Sequence, residues 1–446
     1  MSNNYLVIKQ SGEVVSASAY LESGHGSEDF KLLVKREALN IGVNRGAQGK
    51  PKYLSVANKF GFGWEPNADI GIARYDVKAS LMHRLVEDYA RQLVRQVGLP
   101  LYEVNGSNIF NMDHPVVSAY AQLYGDRLYQ FKSGSSQVVM SYDASYPQFN
   151  LAKQHALSHK NVPFAHFSIS DCYRHEQSGE CMLLYRQRRF FMPDLHPYMK
   201  DVAEAFKWYP KLQKQIVCGA RELGRSYEMI IEVASPALWD QYRAEILRVA
   251  VSFGRDVLVG IHHDNVDRYW IINVDYKIMD ALGQSREIAC IQIDVGNAPR
   301  LGIEYVDEAG HSQNPVIIHS AIPGGIERYL YMALDNFDNG LPLWLHPVQV
   351  RLVPVSDQYI DLCRQLAARN AHLPVRIEID DRNESVGKKV RQARADLVPC
   401  AVVIGEKEAL AGAPELERVV NQICQASENR PFIPLDWPIN LSRQIR

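Results

Sequence analysis

The chain has 446 residues, 46% of them apolar, and a formal net charge of -2. That is enough for two or three domains with real cores, and it lacks a global basic field, so any nucleic-acid partner must be held by a local patch. Seven scattered cysteines without a CxxC pair argue against a disulfide framework or a cysteine-only zinc site, and with no leader-like start and no bilayer-length apolar run a cytoplasmic protein without a membrane role is expected.

Residues 1 to about 75 are polar and weakly patterned, with Val43 to Lys52 reading as a loop or linker. Leu81, Leu85, Val86, Tyr89, Leu93, Val94 and Val97 recur with helical period from Ala79 to Val97, and Gly98-Leu99-Pro100 stops that helix before a strand at Leu101 to Val104. Next comes a hairpin-sized stretch, Asp171-Cys172-Tyr173-Arg174-His175-Glu176 to Glu180, then Arg186-Gln187-Arg188-Arg189-Phe190 and Pro193-Asp194-Leu195-His196. Arginine forks beside an aromatic ring are what a nucleotide triphosphate requires; a solvated basic hairpin has the same composition. Helices are predicted at 200 to 217 and 236 to 250, and strands at 227 to 233, 257 to 261, 270 to 276 and 288 to 295, an antiparallel α+β block. Beyond residue 340, strands at 348 to 355, 375 to 379 and 400 to 405 alternate with helices at 357 to 369 and 386 to 395, predicting a small α/β domain.

Three motifs in order resemble those of a class II aminoacyl-tRNA synthetase, specifically the archaeal-type threonyl-tRNA synthetases without an editing domain. The helix ending at Pro100 is similar to motif 1, Arg174-His175-Glu176 with the loop to Phe190 to motif 2, and Gly324-Gly325-Ile326-Glu327-Arg328-Tyr329 to motif 3. Trp344-Leu345-His346-Pro347 resembles the start of the family's anticodon-binding domain. The resemblance implies an antiparallel-sheet catalytic core over 76–338, a C-terminal anticodon-binding-like α/β domain over 339–446, and an N-terminal extension or linker over 1–75 too short for proofreading. It also implies a homodimer built on the motif 1 helix.

Carried over residue by residue, the resemblance implies that Arg174 bridges the α-phosphate and the amino-acid carboxylate, that Glu176 accepts from the adenine amino group, and that Phe190 stacks under the base. Arg186 and Arg328 would hold the outer phosphates, with Arg328 also covering the purine, and Glu287 would be a magnesium ligand beside ATP. In-line attack of a carboxylate on phosphorus needs positioning and charge neutralisation rather than an acid/base dyad.

For threonine the family uses zinc held by one cysteine and two histidines, a device that rejects an isostere lacking the hydroxyl. The histidines match His196 and His319, but Ser145 stands at the expected cysteine position. A hydroxyl is a poor zinc ligand near neutral pH, which leaves three outcomes: no zinc, a weakened site using water or Ser145, or a substitute thiolate from Cys290. Cys290 shares a strand face with Gln292, which matches a pocket residue, as do Asp194 and Trp270. Substoichiometric zinc in purified protein is the expectation.

In the C-terminal part, Lys388, Lys389 and Arg391 would form a basic edge for tRNA phosphates, with Glu408 in the turn after the next strand. The family's arginine-bearing hairpin is not evident, because Ala409 to Pro414 runs into a helix-like stretch from Glu415 to Gln425. The expected function is ATP-dependent activation of threonine, or a close analogue, and transfer to tRNA. The alternatives are a paralogue that adenylates an amino acid for a carrier protein or small-molecule pathway, and a non-catalytic regulatory pseudoenzyme.

Overall fold

The structure, a computed structural model, describes residues 4–41, 51–264 and 266–445; most of the loop expected at 43 to 52 lies outside them. The chain divides into two compact units, one of residues 1–51, 64–73 and 90–335, the other of 52–63, 74–89 and 336–446. This partition is not the contiguous one expected from the sequence.

The first unit is built on ten strands: β1 (Asn4–Ile8), β2 (Val14–Ser16), β3 (Leu101–Glu103), β4 (Phe164–Tyr173), β5 (Arg189–Met199), β6 (Glu228–Val233), β7 (Val257–Ile261), β8 (Trp270–Met279), β9 (Ser285–Asp294) and β10 (Val316–Ala321). They lie in the order β2-β1-β7-β6-β8-β9-β10-β5-β4-β3. From β6 to β4 every neighbouring pair is antiparallel. The α+β expectation therefore holds. Antiparallel sheets keep their two faces chemically distinct: on the sheet's back, the helix Val202–Glu222 follows β5 and buries Phe206, Tyr209, Leu212 and Ile216. The parallel pair β6/β7 is bridged by the helix Pro236–Ser252, because parallel neighbours need a crossover.

The N-terminal segment is not a linker. β1 pairs antiparallel with β7 along Asn4–Ile8, and the helices Ala17–Glu22 and Glu28–Glu37 bury Tyr20, Phe30, Leu33 and Val34 with Val7, Ile230 and Leu258. Strands this short carry almost no periodicity of their own; their stability comes from pairing with a sheet edge some 250 residues away. The segment Val77–Arg95 is a helix as the spacing predicts, with Leu81, Leu85, Val86, Tyr89, Leu93 and Val94 buried.

The second unit carries a parallel sheet of β11 (Val350–Pro354), β12 (Ile377–Ile379) and β13 (Cys400–Ile404), with β11 in the middle. Its core joins Val350, Leu352, Ile377, Ile379, Val402 and Ile404 to Leu366, Leu416, Val420 and Ile423 of the helices. β13 leads into the helices Glu406–Ala411 and Pro414–Ala426. Among the described residues no strand follows β13, in keeping with the expected lack of a hairpin.

Candidate active site

The β4/β5 hairpin pairs Cys172 with Phe190 and Tyr173 with Arg189, so Arg174, just past β4, and Phe190, at the start of β5, meet at one end of it. Arg174 N donates to Arg188 O at 2.9 Å, its Nε donates to Tyr142 O at 2.9 Å, and its guanidinium lies 5.2 Å from the Phe190 ring centroid and 5.5 Å from that of Tyr124. These contacts fix the fork while leaving donors free for an anion. Glu176 is buried, and its Oε2 accepts no hydrogen bond among the described residues but is ion-paired with two guanidinium groups, Arg186 at 3.5 Å and Arg127 at 3.8 Å.

Motif 3 meets the hairpin from the sheet's other flank. Gly324 has φ +129°, and a Cβ there would come within 2.5 Å of Ile288 O, so only glycine lets this turn lie against β9. The helix Ile326–Asp335 follows, and Glu327 Oε2 accepts from Phe191 N at 2.9 Å, tying that helix to β5. Arg328 stacks on Tyr185 at 5.0 Å and holds Glu287 Oε1 at 3.0 Å. Burial opposes charge on Glu287, but Arg328 beside it keeps the carboxyl below its ordinary range, while burial and the Glu287 charge push its neighbour Asp275 up.

Strand alternation puts Phe190, Asp194 and His196 of β5 on one face with His319 of β10 and Cys290, Gln292 and Asp294 of β9. Phe190, Asp194, Cys290, Gln292 and His319 line a cavity of about 140 Å³, whose wall runs on to Arg174 at one end and Ser145 at the other. At its inner end Ser145 Oγ stands 3.1 Å from His196 Nε2 and 3.3 Å from His319 Nδ1, and the two nitrogens are 3.2 Å apart. The three positions matched to zinc ligands thus converge on one point. Burial lowers His196 well below its ordinary pKa; for His319 burial also lowers, but the Asp294 hydrogen bond and the nearby carboxylates outweigh it and hold the imidazole up. Burial pushes Asp194 up to about 7.

Not every expected residue falls where the sequence put it. Trp270 is absent from the cavity wall, and Tyr269 lines it instead, its hydroxyl donating to Gln292 Oε1 at 2.9 Å. The register of β8 against β9 shifts between Trp270 and Ile272, and such a bulge upsets alternation at that strand end. Cys290 reaches the wall but not the triangle: its neighbour Gln292, not Cys290 itself, is opposite His319, and burial drives the thiol well up. The supports were not foreseen: Asp294 behind His319 at 2.7 Å, Gln148 behind His196 at 3.0 Å, and Asp143 accepting from Tyr120 and Tyr124 at 2.9 and 2.6 Å. Of these only Asp294 had a signal, since it continues the alternation of Cys290 and Gln292.

In the second unit, Lys388 pairs with Glu384 on the surface and Arg391 is exposed. Lys389 is buried and donates to Pro354 O at 3.2 Å, and Glu408 caps its own helix by accepting from Gly405 N at 3.1 Å. Burial takes Lys389 away from the expected tRNA edge, while Glu408 stays partly exposed.

The model of the tRNA synthetase class II core domain (G, H, P, S and T) matches residues 143–337, and that of the anticodon binding domain matches residues 349–425. The chain is 36% identical over 460 residues to the threonine--tRNA ligase of Pyrobaculum calidifontis, covering 99% of this chain and 74% of that one. It belongs to the threonine--tRNA ligase family. To the family member of Thermofilum pendens it is 41% identical over 393 residues, 86% of this chain and 64% of the relative, so the chain spans roughly two thirds to three quarters of these relatives' length. In fold it is similar to the RNA binding domain of threonyl-tRNA synthetase from Cryptosporidium parvum, with TM-score 0.75, 19% identity and 84% and 98% of the two chains covered. It is also similar to the putative threonyl-tRNA synthetase ThrRS-1 from Aeropyrum pernix, with TM-score 0.66, 16% identity and coverage of 88% and 99%.

Proposed function

We propose that this family member activates threonine with ATP and transfers it to tRNA. The observation that carries the reading is the continuous cavity lined by Arg174 and Phe190 at one end and by Ser145 and His319 at the other. At about 140 Å³ it is well below the 300–1,000 Å³ of drug-sized ligand sites and suits a small amino acid. A carboxylate oxygen of the amino acid attacks the α-phosphorus in line, the bond to the β-phosphate oxygen breaks, and pyrophosphate leaves with that electron pair. Arg174 lies where charge on the reacting oxygens is greatest, and a fixed guanidinium costs no reorganisation when the charge develops. Phe190 and Arg328 would hold the base between them, Glu176 would read its amino group, and Arg186 would take an outer phosphate. Glu287 would hold the magnesium that accompanies ATP.

For the family's zinc ion the residues present fit in geometry: two imidazole nitrogens and one oxygen form a triangle just over 3 Å on a side. They fit less well in charge, because Ser145 is neutral where the family has a thiolate. When bound, such an ion supplies a Lewis acid that takes the substrate hydroxyl as a ligand and so excludes valine. Asp194, Gln292 and Tyr269 bound the pocket on the side of the substrate's amino group.

A second reading, adenylation for an acceptor other than tRNA, has one observation in its favour: β13 runs into helices where the family's arginine hairpin is expected, and Lys389 is buried in its own domain. The pseudoenzyme alternative has none, since an idle site has no physical need for the Arg174 guanidinium over Phe190 together with a buried Glu176 paired to Arg186. The proposed protein is a cytoplasmic homodimer through the helix Val77–Arg95; among the described residues no helix is long and apolar enough to cross a membrane.

The test is pyrophosphate exchange with a panel of amino acids, followed by charging of tRNA transcripts. Threonine-dependent exchange that falls at least a hundredfold in Arg174→Lys, whose point charge cannot form the fork, is the expected result. Exchange without charging would select the second reading, and no exchange with any amino acid would refute both.

A further inference from the structure

The loop joining β4 to β5 carries a closed turn. Met182 N donates to Arg186 O at 2.9 Å, and Arg186 N and Tyr185 N both donate back to Met182 O, at 2.8 and 3.0 Å. Leu184 inside it has φ +66°, a conformation that a leucine keeps only where its surroundings hold it. Here they do: Leu183 and Leu184 are buried, and Leu184 N donates to Gln187 Oε1 at 2.7 Å. With the two leucines anchored, Tyr185 is presented to the motif 3 flank.

There its ring meets two guanidinium groups, those of Arg328 and Arg286, each 5.0 Å from the ring centroid. Arg328 Nε also donates to Tyr185 O at 3.3 Å, and Arg328 Nη1 donates to Glu287 O at 3.1 Å. Tyr185 thus holds Arg328 through ring and backbone alike. The seat of the ring is fixed from the other flank: Asp280 Oδ2 accepts from Arg286 Nε at 2.8 Å and from the Tyr331 hydroxyl at 3.0 Å, and the Tyr331 ring lies 5.3 Å from that of Tyr185. One side chain therefore ties the motif 2 loop to motif 3 and to β9. An aromatic face attracts a guanidinium and sets its plane, which hydrogen bonds along one edge leave free to tilt.

We propose that Tyr185 is a positioning residue for ATP, holding the Arg328 guanidinium in the plane from which it covers the purine. The inference rests on the ATP site proposed above and names in it a group that touches no substrate: the ring lies behind Arg328, and the base takes the side of the guanidinium away from Tyr185. Because Tyr185 acts through Arg328, its effect vanishes once that arginine is gone. What the contact requires is the π face of the ring; the phenol hydroxyl has no part in it.

The experiment is an ATP titration by calorimetry on the full chain, with magnesium present and amino acid and tRNA absent, so it reads whether or not any amino acid is activated. The wild type is compared with Tyr185→Phe, Tyr185→Leu, Tyr185→Gln, Arg328→Ala and the double variant of Tyr185→Leu with Arg328→Ala, each checked for fold by circular dichroism. The expected result is ATP affinity within about twofold of wild type in Tyr185→Phe and about tenfold weaker in Tyr185→Leu and Tyr185→Gln. Adding Tyr185→Leu to Arg328→Ala should change the affinity by less than about twofold, the non-additivity of two residues that act as one. Wild-type affinity in both Tyr185→Leu and Tyr185→Gln, a loss in Tyr185→Phe as large as that in Tyr185→Leu, or a further tenfold loss on adding Tyr185→Leu to Arg328→Ala would each overturn the assignment. Failure of the wild type to bind ATP would instead refute the site on which it rests. Should Arg328→Ala bind too weakly to titrate, the three single Tyr185 variants remain decisive.

Discussion

Arg328 Nη1 and Glu287 Oε1 hold each other at 3.0 Å on the face where the triphosphate is proposed to lie. Each is the other's counter-charge, and under the proposed function ATP with magnesium would exchange that one ion pair for two new ones. Glu287→Gln should raise the Mg²⁺ concentration needed for half-maximal pyrophosphate exchange about tenfold, the effect of losing roughly 1.4 kcal/mol of metal binding. A magnesium titration checks this; an unchanged midpoint removes Glu287 from that role.

Tyr269 should behave as a pocket residue and Trp270 should not. The Tyr269 hydroxyl donates to Gln292, whose amide donates to Asn273 Oδ1 at 2.9 Å, a chain that orients Gln292. Tyr269→Phe breaks it at a cost of about 1 kcal/mol, so the KM for threonine should rise about fivefold with kcat nearly unchanged. Trp270→Phe should leave KM within twofold.

Acid stability should depend on His166. Burial in the first unit, reinforced by His155, lowers its imidazole from 6.5 to about 4. Between those values the unfolded chain binds a proton that the folded one refuses, so stability rises with pH there. The contribution is complete above about pH 6.5 and is lost as pH falls to about 4, about 3 kcal/mol in all. His166→Gln should flatten this part of a urea-midpoint profile; a slope equal to that of the wild type would place the titration elsewhere.

Adjacent lysines should give opposite results. Lys389→Ala leaves Pro354 O without its donor and opens a void, and should destabilise the second unit by about 1–3 kcal/mol in chemical denaturation. Lys388→Ala combined with Arg391→Ala should leave the melt unchanged while making tRNA binding less sensitive to salt, the log–log slope falling by up to about one for each phosphate no longer neutralised. A reversal would place Lys389, not Lys388, on the tRNA surface.

The nucleotide face was legible because its determinants are local. One hairpin carries Arg174 and Phe190, and a twofold strand repeat carries Cys290 and Gln292, so spacing puts each set on one face, while their proposed roles came from the family likeness. The two histidines and Ser145 lie far apart in sequence and were brought together by family likeness rather than periodicity. Their convergence to within 3.3 Å is a property of β5, β10 and the helix Ser145–Ala152 meeting at one end of the sheet.

By itself the sequence determined the α+β class and the order of the three motifs, because helical and strand periods, turn residues and guanidinium chemistry act over short stretches. Only the tertiary structure decided that residues 4–41 extend the catalytic sheet, that Tyr269 displaces Trp270 at the pocket, and that Lys389 is buried while Lys388 is not. Each of these turns on which partner a strand, a bulge or a helix face meets across tens or hundreds of residues, and burial and proton sharing exist only once those partners are in place.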